Sequence, residues 1–275
     1  MILKTALDAI ASILLPAPCR ICGLPLATVS RLPICQPCLA SFVPIPAPIC
    51  ECCGRPLPAA AMSAATGPLC RLCRAQFFAF TRARSFALYN EALVQAILLL
   101  KYEQVARLGD WFAARLAEVV ARNAKVLAAD VIVPVPLHAD RFRERGYNQA
   151  ELIARPLAHR LRIKLGPYLL VRNVPRPPKL HLSRAERWKS VRGAYAIRQG
   201  VRVDNLRVLL VDDVMTSGAT LDACARALKL AGAAEVLGLT VGRAVSGWPA
   251  APLPPRRDQV SGEGIRQGAD SILTT

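Results

Sequence analysis

The chain has 275 residues, 53% of them hydrophobic, and a formal net charge of +17. This length leaves room for one sizeable α/β core and a smaller module, and no apolar stretch reaches the ~20 residues of a membrane-spanning helix. Residues 1–15 are interrupted by Asp8 and lack a small-residue cleavage site before Pro16. They therefore predict an amphipathic helix and not a signal peptide, and we expect a cytoplasmic protein without a membrane span.

Nine of the ten cysteines precede Arg74, and eight of them form four Cys-x-x-Cys knuckles. The knuckles are Cys19 with Cys22, Cys35 with Cys38, Cys50 with Cys53, and Cys70 with Cys73. Two sulfurs at this spacing on a tight turn converge on one tetrahedral ion, so two knuckles complete a four-cysteine zinc site. The four knuckles predict two structural zinc ions, held in the simplest arrangement by neighbouring knuckles in sequence order.

A disulfide framework and crossed pairing of the knuckles are the alternatives. Disulfides are typical of exported proteins, whereas this chain is expected to stay in the cytoplasm. Many prolines lie between the knuckles, which favours a loop-built double zinc ribbon whose folding energy comes from the metal. We expect this module, with the preceding helix, to occupy residues 1–75.

Strands and amphipathic helices alternate after the cysteines, which predicts an α/β domain over residues 76–245, with a parallel sheet flanked by helices. The predicted elements are strands over 84–89, 131–135, 194–197, 208–211 and 236–241 and helices over 91–101, 109–124, 150–161 and 221–230. Residues 175–192 carry prolines and basic side chains but almost no aliphatic ones, which predicts a long mobile loop. Residues 246–275 are rich in Pro, Gly, Arg and Ser, which predicts a disordered tail.

Positive charge is concentrated between Arg141 and Arg202, where 16 Lys or Arg face three Glu, a formal charge of +13. A polyanion is expected here, although charge does not choose among a pyrophosphate, a nucleotide and a nucleic acid strand. Arg141, Arg143 and Arg145 follow the strand over 131–135, and the carboxyl ends of parallel strands are where α/β folds bind ligands. These arginines are candidates to clamp a pyrophosphate through bidentate contacts. A solvated basic face without a partner is the alternative.

Residues 208–220 join four aliphatic residues, two acids and a hydroxyl-rich turn. The turn lies between a strand buried on both faces and a helix N-terminus, where free amide groups and the helix dipole favour a phosphate. The candidate phosphate-binding residues are Thr216, Ser217, Gly218, Ala219 and Thr220. The turn has no lysine and no spaced glycines, so it is neither a Walker A loop nor a dinucleotide fingerprint.

Asp212 and Asp213 need a separate explanation, because two carboxylates beside an anion site repel the anion unless they face something else. The cis hydroxyls of a ribose would suit them, as would a bound cation. A ribose 5-phosphate unit satisfies both the acids and the turn. The alternative is a helix N-cap formed by two acids and followed by a Ser/Thr-rich first turn.

This string of residues resembles the phosphoribosyl pyrophosphate binding motif of the type I phosphoribosyltransferases. The resemblance implies that Asp212 and Asp213 bind the ribose 2- and 3-hydroxyls and that residues 216–220 wrap the 5-phosphate. It also implies that the ligand is phosphoribosyl pyrophosphate complexed with Mg²⁺.

The whole chain resembles the ComF/GntX-like competence protein F family, a double zinc ribbon followed by a type I phosphoribosyltransferase domain. The resemblance covers residues 19–243 and rests on the knuckles, Leu100-Lys101-Tyr102, and residues 133–149, 182–187, 191–195 and 208–220. It implies a role in DNA uptake and natural transformation, with single-stranded DNA and a competence helicase as partners.

Two functions remain open. The first is a phosphoribosyltransferase, a glycosyltransferase acting on pentosyl groups, in which no side chain stands out as the catalytic base. The second is a non-catalytic single-stranded DNA binding or adaptor protein whose pocket senses a ligand or a 5-phosphate. The family usually carries Thr and Gln in the loop where residues 176–181 read Arg-Pro-Pro-Lys-Leu-His, and Asn where this chain has Ser190. These departures could alter the acceptor or impair turnover.

Overall fold

The computed structural model describes residues 17–26, 32–58, 67–175 and 184–245. Up to residue 75 these residues form turns and two short helices, α1 (Gln36–Ala40) and α2 (Arg71–Arg74). The predicted helix over 1–15 and the predicted tail over 246–275 lie outside the described residues. Within the described residues, no helix is both long and apolar enough to cross a membrane.

Strands and helices alternate after the cysteine-rich segment, as the sequence predicts. In chain order they are β1 (Arg82–Leu88), α3 (Glu91–Tyr102), α4 (Arg107–Arg122), β2 (Val131–Pro134), α5 (Ala139–Arg145), α6 (Gln149–Leu161), β3 (Lys164–Leu165), β4 (Leu170–Arg172), α7 (Arg184–Val191), β5 (Tyr195–Ile197), β6 (Arg207–Met215), α8 (Ala219–Leu230) and β7 (Glu235–Arg243).

Five strands form one parallel sheet in the order β1-β7-β6-β2-β3, and β4 and β5 form a separate antiparallel pair. The central strand β6 lies between β7 and β2, with Leu209 opposite Leu237 on one side and Ile132 on the other. Residues 208–211 are fully buried, because both faces of the sheet are covered. The predicted parallel α/β architecture is confirmed.

Helices cover the two faces of the sheet in separate apolar cores. On the first face α3, α4 and α6 pack through Leu93, Phe112 and Ile153. On the second face α8 packs through Leu221 and Ala225, in the same core as strand β5. Because successive side chains of a strand point to opposite faces, alternate residues of β6 belong to different cores.

The cysteine-rich segment covers the edge of the sheet at β1. The Leu88 amide donates to the Val43 carbonyl at 2.8 Å, and the Ala83 amide donates to the Cys52 carbonyl at 2.6 Å. Pro44 also forms an antiparallel bridge with Ala87. These contacts satisfy backbone groups that an edge strand would otherwise expose.

Three local predictions need correction. β6 does not end at Val211 but continues to Met215, because its ladder with β7 persists up to the pair of Met215 and Arg243. In the predicted loop over 175–192, residues 176–183 lie outside the described residues, and Arg184–Val191 form the helix α7, whose Trp188 packs against Phe77 and Phe78. This helix has few aliphatic residues and packs against the second core through Trp188 and Val191, so an aliphatic pattern does not reveal it. The helix predicted over 109–124 begins and ends two residues earlier.

Candidate functional site

The hydroxyl-rich turn lies where β6 ends and α8 begins. Gly218 precedes the helix with φ at 84°, in the left-handed region that favours glycine. A Cβ on Gly218 would lie 2.8 Å from Phe78 Cε1 and 2.9 Å from Met215 Cε. Gly218 and Ala219 are buried, whereas Thr216, Ser217 and Thr220 are half-buried. The first turn of α8 lies beside these hydroxyls, as the phosphate prediction requires.

The acid in the first turn of α8 is engaged within the protein. Asp222 is 2% exposed, and its Oδ1 accepts a hydrogen bond from the Ala79 amide at 2.7 Å. Its Oδ2 accepts from Arg226 Nε, also at 2.7 Å. Asp222 therefore anchors the segment after the last knuckle to the helix, and its charge is compensated by Arg226.

The two acids of the motif lie within β6 and on opposite faces of the sheet. Asp213 is 5% exposed and Asp212 is 8% exposed. Asp213 faces the first core, where its Oδ2 lies 2.5 Å from Lys101 Nζ. Asp212 faces the second core, where its charge adds to the effect of burial in raising the pKa of Tyr195 and of Cys224. The binding of one ribose by both acids stays a prediction.

Lys101 is a residue to which the sequence pattern assigned no role. Burial on its own would lower the pKa of Lys101, but the charges of Asp213 and Asp212 raise it above its ordinary value. The end of α3 is held in place from the α5–α6 junction, since Tyr147 Oη donates to the Leu100 carbonyl at 2.6 Å. The signal was present in the string Leu100-Lys101-Tyr102, where a lysine follows the apolar run of residues 96–100 near the end of the helix.

The cationic residues after β2 lie on helix α5. Arg141 pairs with Glu144 at 3.1 Å and Arg143 with Asp140 at 2.5 Å. The Arg145 guanidinium carbon lies 4.9 Å from the centre of the Tyr102 ring. Tyr102 follows Lys101 in the sequence. At 3.6 residues per turn, Arg141 and Arg145 are about 40° apart around the helix, whereas Arg143 is on the opposite side. The helix therefore does not present all three arginines to one ligand, and their contact with a pyrophosphate stays a prediction.

A cleft of about 780 Å³ lies between α7 and α8 and extends to Ala219 at the start of α8. Its apolar wall includes Phe77, Trp188 and Leu230. Lys189, Arg192 and Arg226 supply cationic groups to the same cleft. Aromatic rings next to cationic side chains are the combination that binds nucleobases and their phosphates.

The eight knuckle cysteines form two clusters that join neighbouring knuckles. One cluster contains Cys19, Cys22, Cys35 and Cys38, and the other Cys50, Cys53, Cys70 and Cys73. Within each cluster the four sulfurs lie within 4.8 Å of one another. The first cluster packs into the first core and the second into the second core.

The donor set of each cluster fits a tetrahedral zinc ion. Zn–S bonds of about 2.3 Å place two sulfurs of a tetrahedron about 3.8 Å apart. The Sγ atoms of Cys19 and Cys38 are 3.8 Å apart, and those of Cys53 and Cys70 are 3.7 Å apart. The Cys35 and Cys70 amides donate to Cys19 Sγ and Cys50 Sγ, both at 3.3 Å. Such donors stabilise thiolates, the form that binds metal.

Crowding opposes ionisation of all four thiols in a cluster at once. Burial and the neighbouring Cys35 raise the pKa of Cys38, and contacts with Cys50 and Cys70 raise that of Cys53. Burial also disfavours the Cys19 thiolate, yet backbone hydrogen bonds lower the pKa of Cys19 to about 7. Four thiolates this close require a cation between them, which a metal ion bound by all four sulfurs supplies.

The parallel sheet, the buried acid pair of β6 with the turn that follows this strand, and the two four-cysteine clusters define a type I phosphoribosyltransferase-like α/β protein with an N-terminal cysteine module. The chain is 31% identical over 224 residues to the DNA utilization protein YhgH of Salmonella typhimurium, covering 80% of this chain and 94% of that protein. It is 28% identical over 207 residues to competence protein ComFC of Bacillus subtilis, covering 71% and 77%. The chain belongs to the ComF/GntX-like competence protein F family, which confirms the resemblance inferred from its motifs.

Further comparisons give shorter or weaker matches. Competence protein F of Haemophilus influenzae is 32% identical over 128 residues, 45% of this chain and 56% of that protein. Among solved structures, the glutamine phosphoribosylpyrophosphate amidotransferase of B. subtilis matches with a TM-score of 0.33 and 25% identity, over 48% of this chain and 26% of that one. The purine phosphoribosyltransferase of Pyrococcus horikoshii matches with a TM-score of 0.31 and 20% identity, over 53% and 94%. No protein-family model matches the sequence.

Proposed function

We propose that this protein binds Mg²⁺-complexed phosphoribosyl pyrophosphate, or a related ribose 5-phosphate ligand, and acts in DNA uptake. The observation that carries the proposal is the turn over 216–220, in which the half-buried residues Thr216, Ser217 and Thr220 lie at the N-terminus of a 12-residue helix. The helix dipole and backbone amides favour a dianionic phosphate there. Two acids precede the turn, which suits a ribose better than a nucleic acid backbone.

Asp212 and Asp213 would bind the ribose hydroxyls in this proposal. Asp213 is paired with Lys101, so the ligand would have to reach a carboxylate whose charge is already balanced. A pyrophosphate would supply Lys101 with a second anion to contact while Asp213 turns to the ribose. Mg²⁺ would enter as part of the substrate complex, because carboxylate and phosphate oxygens are its preferred ligands.

The pyrophosphate would be held by the cationic helix α5. Arg145 is the strongest candidate of the three arginines, because it contacts Tyr102, the residue after Lys101. Arg141 lies on the same side of the helix and could join it by rotating away from Glu144. Arg143 points away from that side, so its contribution would be through long-range charge.

Zinc in the two four-cysteine clusters would have a structural role. The first cluster would be held by Cys19, Cys22, Cys35 and Cys38 and the second by Cys50, Cys53, Cys70 and Cys73. All four positions of the tetrahedron would be filled by sulfur, so the metal would supply folding energy and not a reactive water. Elemental analysis of the purified protein should give about two zinc per chain.

The names of the relatives support the setting in DNA uptake. Two of them are competence proteins and one is a DNA utilization protein. The basic segment over 141–202 would engage single-stranded DNA, and a competence helicase in the cytoplasm is the proposed protein partner. Binding of this kind should weaken steeply with salt, because counterions are released from the phosphates.

The second candidate is a binding protein that does not catalyse phosphoribosyl transfer. The cleft between α7 and α8 favours it, since Phe77 and Trp188 could stack a base while the adjacent turn holds a 5-phosphate. The purified protein would be mixed with Mg²⁺, radiolabelled phosphoribosyl pyrophosphate and candidate bases, and pyrophosphate release measured. Release of pyrophosphate supports the first candidate, a phosphoribosyltransferase. Its absence, together with tight and salt-sensitive binding of single strands, supports the second candidate.

The ligand assignment has a separate test. Asp212→Asn together with Asp213→Asn should abolish binding of ribose 5-phosphate in calorimetry, whichever candidate holds. Unchanged affinity would show that the ligand lies elsewhere.

A further inference from the structure

Arg243 is the last residue of β7 and one of the most deeply placed charges in the molecule. It is 3% exposed and pairs in register with Leu88 on one side and Met215 on the other. It therefore lies beside the end of β6, where the phosphate turn begins. A guanidinium in such a position needs hydrogen-bond acceptors and a compensating negative charge.

The guanidinium contacts the phosphate turn and the second cysteine cluster at the same time. Its Nη1 donates to the carbonyl oxygens of Met215 and Thr216, both at 3.3 Å. Its Nη2 donates to Cys53 Sγ at 3.7 Å. One planar guanidinium thus links the backbone that enters the turn to a sulfur of the second cysteine cluster.

Within the part of the chain that the structure describes, no carboxylate forms an ion pair with Arg243, and a metal-loaded second cluster would provide the missing negative charge. Four thiolates around a divalent cation carry a net charge of about −2, and three of these cysteines, Cys53, Cys70 and Cys73, act electrostatically on Arg243. Loss of the metal would remove that counter-charge from beside the guanidinium, whose Nη2 lies 3.7 Å from Cys53 Sγ. Its hold on the turn carbonyls should then weaken.

A second contact joins the same cluster to the same turn. Residues 77–80 lie a few positions after Cys73 in the sequence. A Cβ on Gly218 would lie 2.8 Å from Phe78 Cε1. The Ala79 amide donates to Asp222 in the first turn of α8. The first cluster lacks such a link among the described residues, because it packs in the core on the opposite face of the sheet.

We propose that Arg243 is a positioning residue that couples metal in the Cys50–Cys73 cluster to the geometry of the phosphate turn. The second metal site then supports ligand binding, whereas the first supports only the fold around it. The proposed coupling depends on the contacts of Arg243 with the turn and with Cys53, which are present without a ligand. Its consequence for ribose 5-phosphate binding rests on the proposed function.

Hydrogen–deuterium exchange of a peptide spanning residues 214–221 tests the coupling directly. In the zinc-loaded protein, Arg243→Met and Arg243→Lys should speed exchange of this peptide by about tenfold, with both zinc ions retained. Arg243→Lys keeps the charge but cannot reach three acceptors at once. Cys53→Ser should give the same change with loss of one zinc. Cys22→Ser, the matched change in the first cluster, should lose one zinc without altering exchange at 214–221.

Exchange at 214–221 that is unaltered in both Arg243 variants overturns the proposal, and so does an equal effect of Cys22→Ser and Cys53→Ser. If Cys53→Ser does not fold, the two Arg243 variants provide the test of the proposal, because they leave both sets of four cysteines intact. Calorimetry with ribose 5-phosphate separates the two proposals. A wild-type protein that does not bind it, yet shows the exchange changes, refutes the proposed function and leaves the coupling in place.

Discussion

Lys101 Nζ lies 2.5 Å from Asp213 Oδ2, across the boundary between the end of α3 and the central strand β6. Both side chains are largely buried, with exposures of 20% and 7%. The pair thus brings the acid of the phosphoribosyl motif into contact with a residue more than a hundred positions earlier in the chain. It links the ligand site to the first core.

Removal of the lysine should destabilise the fold because it leaves a buried carboxylate without its counter-charge. Lys101→Met is expected to reduce the free energy of unfolding by about 3 kcal/mol, measured by urea denaturation. The double variant Lys101→Met with Asp213→Asn should recover part of this loss, since no buried charge is then left unpaired. Strictly additive losses would show that the two side chains do not interact in solution.

The same pair predicts a loss of stability at alkaline pH. The pKa of Lys101 is raised in the folded state, so its contribution is fully present below the unfolded pKa of about 10.4. That contribution is lost as the pH rises through the higher folded value. The difference in unfolding free energy between wild type and Lys101→Met should therefore stay constant from neutral pH to about pH 10 and shrink above it. A difference that grows with pH would contradict the assignment.

Gly218 should be the least replaceable residue of the turn. Gly218→Ala imposes a left-handed conformation on alanine and a contact of 2.8 Å with Phe78, whereas Gly200→Ala imposes a similar φ of 80° with open space around it. We expect Gly200→Ala to cost roughly 1 kcal/mol of stability and to leave ribose 5-phosphate binding unchanged. Gly218→Ala should cost more and weaken binding as well. Equal effects on binding would argue against a phosphate at this turn.

Arg145 and Arg143 form a matched pair on one helix. Arg145→Ala should weaken phosphoribosyl pyrophosphate binding by about tenfold, the typical effect of losing one charge-assisted hydrogen bond, and Arg143→Ala should have little effect. Neither change should alter the affinity for ribose 5-phosphate, which lacks the pyrophosphate. Isothermal calorimetry with both ligands checks this, and a larger effect of Arg143→Ala would reverse the orientation assigned to α5.

Much of the architecture follows from local patterns. Runs such as residues 208–211 are apolar on both faces, and only a central parallel strand buries both faces. The Cys-x-x-Cys spacing likewise identified the four knuckles but left crossed pairing between them open. The structure joins neighbouring knuckles, with the Sγ atoms of Cys19 and Cys38 3.8 Å apart. Helix α7 escaped prediction, because its packing depends on the contact of Trp188 with Phe77 and Phe78, which are distant in sequence.

The sequence by itself determined the four Cys-x-x-Cys knuckles, the alternation of strands and helices and the acid-and-turn motif, because each of these patterns is local in the chain. Tertiary structure decided the partners of those groups. The pairing of Asp213 with Lys101 and the contact of Arg243 with Cys53 depend on which faces of the sheet the distant segments cover. Those contacts are set by packing between elements, and a one-dimensional pattern carries no information about which charges will share a buried space.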